Sequence, residues 1–333
     1  GTVTVTVNGD AVQEPNETFQ LRVQVTSGGL PAPPAFAQAT ATIANDDVTL
    51  VPIHDIQGNG ATSPLTGQTV TFQGVVTGRK SNGFFVQASD AEADADPATS
   101  EGIYVFTSTA PTAAATVGNR VRVSGTVVEF IPTADLGQLP LTEISFATYT
   151  QTGTDTLPVP VVLPQVLPTS PLDALERFES MRVAIDSFTV TAPTKGSTNE
   201  PNATGTSNGI FHGVIGSVPR PFREPGIQPG TPIPGGGTSP PIPRWDGNAE
   251  LMTVDSDALG APKLEVANGA VITGMTGPLD YGFRRYTLLI DPGATVNVTP
   301  GPAPHAAVDT DDPNAVSVAG YHLERFFDTV NQP

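Results

Sequence analysis

Residues 117–130, VGNRVRVSGTVVEF, show the clearest structural pattern in the chain. Val121, Val123 and Val127 alternate with other residues, and Gly125 takes the remaining place in the alternation. Alternation at period two with β-branched residues predicts a half-buried strand. A glycine inside such a strand is typical of a bulge or a tight barrel corner. This stretch is therefore expected to form a strongly bent strand.

The same alternation recurs on both sides of this stretch, between Ile53 and Thr150. The further runs are Val70-Phe72-Gly74-Val76, Phe84-Val86, Ile103-Val105 and Leu141 to Tyr149. Gly74 repeats the feature of a glycine inside a strand. Five short, bent strands in close succession favour a small closed β-barrel of the OB type.

Composition limits the class of protein. The 333 residues allow two or three domains. With 34 Gly, 34 Pro, 14% charged residues and almost no long helical pattern, the chain is expected to be all-β. The lack of cysteine excludes a disulfide framework, a cysteine-type zinc site and a thiol nucleophile.

The net charge of −18, with three lysines in the chain, disfavours nucleic acid as a partner, because phosphate binding is normally driven by Lys and Arg. Such a charge is typical of a soluble extracellular surface, or alternatively of carboxylate clusters loaded with calcium. The sequence contains no run of 18 apolar residues, so a membrane-spanning helix is not expected. The chain starts at Gly1 without a signal peptide or initiator Met, so a processed product or part of a longer protein is expected.

Residues 1–47 predict three strands, in TVTVTVNGD, in QEPNETFQLRVQVT and in AQATATIANDD, with an Asn-Gly hairpin turn after the first. Three strands of a β-sandwich leave an apolar face and an open edge. Another part of the protein could cover them. Alternatively, a second copy of the chain could add a strand, and head-to-tail addition would then build a polymer.

The residues NGDAVQEPNETFQLRV (8–23) and ATIANDD (41–47) resemble the C-terminal half of a Calx-β repeat, a calcium-binding extracellular and regulatory sandwich. The resemblance implies that the NDD turn and the acidic loop lie at the family's metal end. Because Ca²⁺ takes six to eight oxygen ligands, the candidate ligands are the carboxylates Asp10, Glu14, Glu17, Asp46 and Asp47. Alternatively, these carboxylates are solvated turn residues.

A second resemblance covers roughly Val51 to Asp328. The motifs IHDIQGNG (53–60), GVVTG (74–78), GFFVQ (83–87), SEGIYVF (100–106) and residues 117–130 resemble the OB-like, non-catalytic N-terminal region of large secreted bacterial nucleases. Those proteins carry a downstream catalytic domain of the endonuclease/exonuclease/phosphatase superfamily. Residues 316–333 resemble its first strand and turn, with His322 where the family has an active-site Asn. The remaining motifs of that domain are absent from the sequence.

The domain order follows from these patterns. Residues 1–47 are expected to form a partial Calx-β-like sandwich, 48–155 a first OB-like barrel, 156–170 a Pro-rich linker, 171–299 a second OB-like barrel with long loops, and 300–333 a linker with a C-terminal strand. The stretch 171–181, PLDALERFESM, predicts a short helix. The acidic insert 88–101 lacks the spacing of an EF-hand and is expected to be a flexible loop rather than a cation site.

A long loop of the second barrel holds the lone Trp of the chain and several of its arginines. Its aromatic and cationic side chains predict a stacking site for single-stranded nucleic acid or glycans. Alternatively, the arginines pair with neighbouring carboxylates as a structural latch. The candidate ligand-binding residues are Arg220, Phe222, Arg223, Arg244 and Trp245.

No catalytic motif stands out. The four histidines, His54, His212, His305 and His322, show no paired metal spacing, and neither a nucleophile elbow nor a Walker loop is present. We therefore expect a non-catalytic extracellular structural or interaction module that self-assembles head-to-tail through its N-terminal sheet. The alternative is an accessory region that guides nucleic acid to a secreted nuclease.

Overall fold

The computed structural model describes residues 4–6, 15–24, 36–43, 48–168, 170–202, 204–216, 227–231, 242–245 and 248–301. The chain divides into two compact units, Gly1–Val51 and Pro52–Pro333. The described residues are nearly all in strands and turns, which confirms the prediction of an all-β chain with OB-like barrels.

The first unit contains an antiparallel hairpin of β1 (Glu17–Gln24) and β2 (Phe36–Ile43). Pairing runs without a shift from Glu17 opposite Ile43 to Gln24 opposite Phe36. Nearly every side chain of the hairpin is exposed, and the Arg22 guanidinium lies 3.6 Å from the centre of the Phe36 ring. Residues 4–6 lie outside any strand, so the first strand predicted for this region is not seen there.

The second unit begins with a short helix and a five-stranded barrel. Its elements are α1 (Ile53–Gln57), β3 (Thr69–Lys80), β4 (Gly83–Gln87), β5 (Gly102–Phe106), β6 (Asn119–Phe130) and β7 (Leu141–Thr154). The barrel closes in the order β3-β4-β5-β7-β6, with β5 and β7 parallel and the other pairs antiparallel. This is the strand order and Greek-key connection of an OB fold.

The two glycines inside these strands have different roles. At Gly125 the pairing of β6 with β7 shifts register, which confirms the predicted bulge. At Gly74 the pairing of β3 with β6 is continuous. A Cβ added to Gly74 would lie 2.7 Å from the carbonyl oxygen of Gln87, so this glycine allows a close approach of two backbones.

The strands that follow build a nine-stranded sheet in the order β20-β17-β10-β13-β16-β19-β18-β9-β8. Two further hairpins, β11–β12 and β14–β15, lie in its long connections. The bounds are β8 (Val161–Val162), β9 (Arg182–Ile185), β10 (Phe188–Ala192), β11 (Gly196–Asn199), β12 (Thr204–Ser207), β13 (Ile210–Ile215), β14 (Ile227–Thr231), β15 (Ile242–Trp245), β16 (Met252–Asp255), β17 (Val271–Thr273), β18 (Met275–Gly282), β19 (Arg285–Leu289) and β20 (Asn297–Thr299).

The nine-stranded sheet contains a second barrel, two of whose long strands are each interrupted by a short break. Only Asp186 and Ser187 separate β9 from β10, and only Gly274, at φ 76°, separates β17 from β18. Because β9 pairs with β18 and β10 pairs with β17, each broken couple acts as one long bent strand. Pairing therefore runs β10-β13-β16-β19-β18-β9 and returns along the chain to β10. With β16 and β19 parallel, the connection order repeats that of the first barrel.

Three side chains of the first barrel join the hydrophobic core of the second. Phe85, Tyr104 and Leu141 of the first barrel belong to the same buried cluster as Phe188 and Phe211 of the second. Close backbone approaches lock this junction, since a Cβ added to Gly102 would lie 2.3 Å from the Ser180 carbonyl carbon. The Pro-rich segment between the barrels contributes β8, which pairs in parallel with β9.

The prediction of a helix at 171–181 was wrong. The segment forms turns and one short 3-10 helix, Glu176–Phe178. Ser180 lies two residues after the end of this helix at φ 61°, and its backbone N–H donates to the Leu279 carbonyl. Leu279 in turn donates to the carbonyl of Met181, so strand pairing takes the backbone groups that a longer helix would need.

Candidate functional site

The predicted calcium residues fall mostly outside the described part of the chain. The residues outside it are Asp10, Glu14, Asp46 and Asp47. Glu17 is the exposed first residue of β1, opposite Ile43. Calcium binding at this end stays a prediction.

The predicted Arg/Trp site is described only in its backbone. Arg220, Phe222 and Arg223 lie outside the described residues. Arg244 and Trp245 end β15, where they pair with Gln228 and Ile227 of β14. The prediction of a ligand site or latch at these residues therefore stays open.

The second and third strands of an OB barrel usually form its ligand face. In the first barrel these strands are β4 and β5, and their residues are buried almost throughout. Phe85 and Tyr104 lie 5.0 Å apart between ring centres, inside the core shared with the second barrel. Lys80 Nζ lies 5.0 Å from the Tyr104 ring centre and 2.7 Å from Asp280 Oδ2 of the second barrel. The second barrel thus occupies the usual ligand face of the first.

The corresponding face of the second barrel carries a polar row. Strand register places His212, Thr253 and Thr287 side by side on β13, β16 and β19. His212 Nδ1 lies 3.0 Å from Thr253 Oγ1. Burial lowers the pKa of His212 to about 4, helped by the positive charges of Lys195 and Arg285, so its imidazole is neutral at pH 7. This face combines a neutral imidazole, hydroxyls and two cations.

Hydrogen bonds connect the acidic insert 88–101 to its surroundings, and the flexibility of this loop stays a prediction. Arg120 binds Glu92 through both terminal guanidinium nitrogens, and this contact lowers the pKa of Glu92. The backbone N–H of Val159 donates to Asp90 Oδ1 at 3.1 Å. These bonds involve a segment whose composition alone is typical of mobile loops.

One end of this insert meets helix α1. His54 Nδ1 lies 3.1 and 3.2 Å from the two carboxylate oxygens of Glu101 and 3.9 Å from Asp94 Oδ2. Buried Ile53 and Ile56 anchor the helix that carries His54. The His54–Asp94–Glu101 cluster is the one set of three or more potential metal ligands that converges within 4.8 Å in the described part of the chain.

Sequence analysis did not find this cluster. His54 was considered only for paired metal spacing, and the acidic insert only for an EF-hand. Its three residues are separated by 40 and 7 positions and come together only when the barrel closes. The available signal was a lone histidine at the start of the barrel and an acidic insert before β5.

A group of buried carboxyls lies where the barrels meet. Tyr286 Oη donates to Glu176 Oε2 at 2.7 Å, and burial raises the pKa of Glu176 to about 7. Burial also raises the pKa of Glu179 well above its usual range, because this side chain is fully buried. Glu179 Oε1 accepts from the Thr142 N–H, while Oε2 has no hydrogen-bond partner among the described residues. A protonated carboxyl is the form that this environment favours.

A cavity of about 300 Å³ adjoins both features. Gln57 and Gly58 of the α1 end, Ala98 and Ser100 of the insert, and Glu176 of the connector line it. Gln57 is held there by a 2.6 Å hydrogen bond from Nε2 to the Gly102 carbonyl. The cavity is therefore lined by Glu176 and by chain neighbours of the cluster, though not by His54, Asp94 or Glu101 themselves.

None of the helices in the described ranges is long and apolar enough to cross a membrane.

Comparisons with known proteins give weak matches only. No protein-family model matches the chain, and no curated protein matches it. A murine DNA-binding protein bound to double-stranded DNA aligns with a TM-score of 0.24 and 10% identity, over 69% of this chain and 99% of that one. The Ifi202 HINa domain in complex with a 20-base-pair double-stranded DNA aligns with a TM-score of 0.21 and 12% identity, over 71% of this chain and 98% of that one. At these TM-scores neither likeness supports an inference about function. The OB-like fold rests on this chain's own strand order.

Proposed function

We propose that this chain is a non-catalytic, extracellular interaction module that associates with further copies of itself through its N-terminal hairpin. The observation that carries the proposal is the exposure of β1 and β2. Seven of the eight residues of β2 are exposed, and Val23 and Phe36 are 53% and 50% exposed. An isolated two-stranded hairpin is marginally stable in water, and its open edges readily accept another strand.

The resemblance of this region to half of a Calx-β repeat supports the same proposal. A sandwich fragment gains stability when further strands cover its apolar face. Head-to-tail addition between copies would supply them and would lead to assemblies larger than a dimer. Calcium held by Asp10, Glu14, Glu17, Asp46 and Asp47 would neutralise the negative charges that oppose this contact.

The test is light scattering after size exclusion, over a range of protein concentrations, with calcium and with chelator. We expect assemblies that grow with concentration and dissociate in the Val23→Lys variant, because a charge on the hairpin opposes strand addition. Val159→Lys is the matched control, since Val159 is 67% exposed on the second unit. A monomer at every concentration in both conditions would refute self-association.

The second candidate function is an accessory region that presents nucleic acid to a secreted nuclease. Its support is the resemblance of residues 51–328 together with the half-buried polar row of the second barrel, where Lys195 and Arg285 influence His212. The net charge of −18 opposes it.

Fluorescence anisotropy with a labelled single-stranded oligonucleotide at low salt tests this candidate. Binding that weakens in Lys195→Gln, and not in Lys263→Gln, would support the face around His212. Anisotropy that stays flat at low salt, with and without calcium, would end it. Incubation of the same oligonucleotide with the pure chain and divalent metal tests the expected absence of catalysis. The oligonucleotide should remain uncleaved.

A further inference from the structure

We propose that the His54–Asp94–Glu101 cluster binds one divalent transition-metal ion of the zinc class. One imidazole nitrogen and two carboxylates converge here, and all three potential donor atoms lie within 4.8 Å of one another. The proposal is independent of the function of the N-terminal hairpin, because its residues all belong to the second unit.

The separations of the donor atoms suit a metal. Zinc takes nitrogen and oxygen ligands at about 2.0–2.2 Å, so two ligands of a tetrahedral site are roughly 3.3 Å apart. His54 Nδ1 lies 3.1 Å from Glu101 Oε1 and 3.9 Å from Asp94 Oδ2, which brackets that value. The third separation, between the Asp94 and Glu101 carboxylate oxygens, is at most 4.8 Å.

The donor set selects the class of ion. Calcium and magnesium take oxygen ligands, whereas an imidazole nitrogen suits zinc and other transition metals. This site thus differs in chemistry from the all-carboxylate calcium site proposed for the first unit. Zn²⁺ is expected to bind more tightly than Ca²⁺.

The surroundings hold the ligands in place and leave them short of positive charge. Glu101 is only 6% exposed, and no Lys or Arg in the described ranges forms an ion pair with it. The Asp94 backbone N–H donates to Glu101 Oε1 at 2.8 Å and fixes this carboxylate. In the described ranges, His54 is the basic side chain that contacts this buried carboxylate, and a bound metal ion would add positive charge beside it.

A nearby cavity is lined by chain neighbours of the proposed ligands. His54 and Gln57 lie one turn apart on α1, and Gln57 and Ser100 line the cavity of about 300 Å³. A site with three protein ligands keeps one position for water or a small anion.

Isothermal titration of the chelator-treated full chain with Zn²⁺, Mn²⁺ and Ca²⁺ tests the proposal. We expect one zinc ion per chain, with affinity reduced at least about tenfold in His54→Gln and in Asp94→Asn. The matched controls are His212→Gln, a histidine of the second barrel, and Asp96→Asn, an exposed carboxylate two residues along the same insert. Both controls should bind zinc as the parent chain does.

Because Asp94 lies on an exposed loop, its variant should fold even if the His54 variant does not. Co²⁺ absorption of the parent chain gives a second measurement, since nitrogen and oxygen ligation in a low-symmetry site intensifies the visible bands. No zinc binding, or binding that weakens equally in the Asp94 and Asp96 variants, would overturn the proposal and leave His54 and Glu101 as a hydrogen-bonded pair. Tighter binding of Ca²⁺ than of Zn²⁺ would overturn the choice of metal.

Discussion

Replacement of Glu176 by Gln should remove a pH-dependent loss of folding stability. Glu176 accepts a 2.7 Å hydrogen bond from Tyr286 Oη at the junction of the two barrels, and burial raises its pKa from 4.5 to about 7. The folded chain therefore binds this proton more tightly than the unfolded chain does. The resulting stability is fully present below pH 4.5 and is lost as the pH rises through 7.

The magnitude follows from the pKa. One pH unit between the two pKa values corresponds to about 1.4 kcal/mol, so the full loss for Glu176 is about 3 kcal/mol. Gln keeps the acceptor oxygen for Tyr286 and carries no charge. The Glu176→Gln variant should therefore match the parent chain near pH 4.5 and exceed its free energy of unfolding by about 3 kcal/mol at pH 8.

Urea unfolding of both proteins between pH 4.5 and 8 measures this difference. The quantity to plot is variant minus parent, because His212 also titrates, and its lowered pKa destabilises the fold in the opposite direction, as the pH falls below 6.5. Glu265→Gln, at an exposed position between β16 and β17, is the control and should give a flat line. A Glu176→Gln difference that stays constant across this range would refute the reasoning.

Three further predictions concern the packing at the barrel junction, the core of the second barrel and backbone strain at one turn. Gly102→Ala places a methyl group 2.3 Å from the Ser180 carbonyl carbon and should lower the free energy of unfolding by about 3 kcal/mol. Gly282→Ala is the control and should change the free energy of unfolding little, because there is open space around Gly282. Equal effects of the two substitutions would contradict the tight junction. Phe211→Ala empties a fully buried position and should cost about 3–5 kcal/mol by urea unfolding, and a loss below about 1 kcal/mol would show that the second core is loosely packed. Phe283 is 95% exposed and has φ 53°, a left-handed conformation that Asn adopts more readily than Phe. Phe283→Asn should therefore relieve about 1 kcal/mol of backbone strain and raise the melting temperature. A lower melting temperature would show that the ring is structurally required.

The first barrel was predictable because its strands obey one simple rule. Val121 and Val123 alternate with outward residues, and each buried valine fills the interior of the barrel. The bulge at Gly125 agreed with the same pattern, because a glycine inside a strand is typical of a bulge or a barrel corner. Local sequence thus decided both the element and its bend.

The second barrel and the metal cluster depend on distant contacts. The helical spacing at 171–181 was overridden by the pairing of Ser180 and Met181 with Leu279 in β18, about 100 residues later. His54 and Glu101 are neighbours only because α1 packs beside β5 after the barrel closes. No local propensity reports such contacts, since their energy comes from parts of the chain that meet in the folded state.

The shared junction of the two barrels determines how this protein can be taken apart. Gly78 of the first barrel faces Pro278 of the second, where an added Cβ would lie 2.7 Å from the proline ring, and Gln87 accepts from the Arg182 backbone N–H. The Pro-rich composition of residues 156–170 is typical of a linker at which two domains could be separated. Separation at this point would expose, on each barrel, residues that are packed against the other barrel. Protein engineers who wish to graft this scaffold should move residues 52–301 as a single cassette.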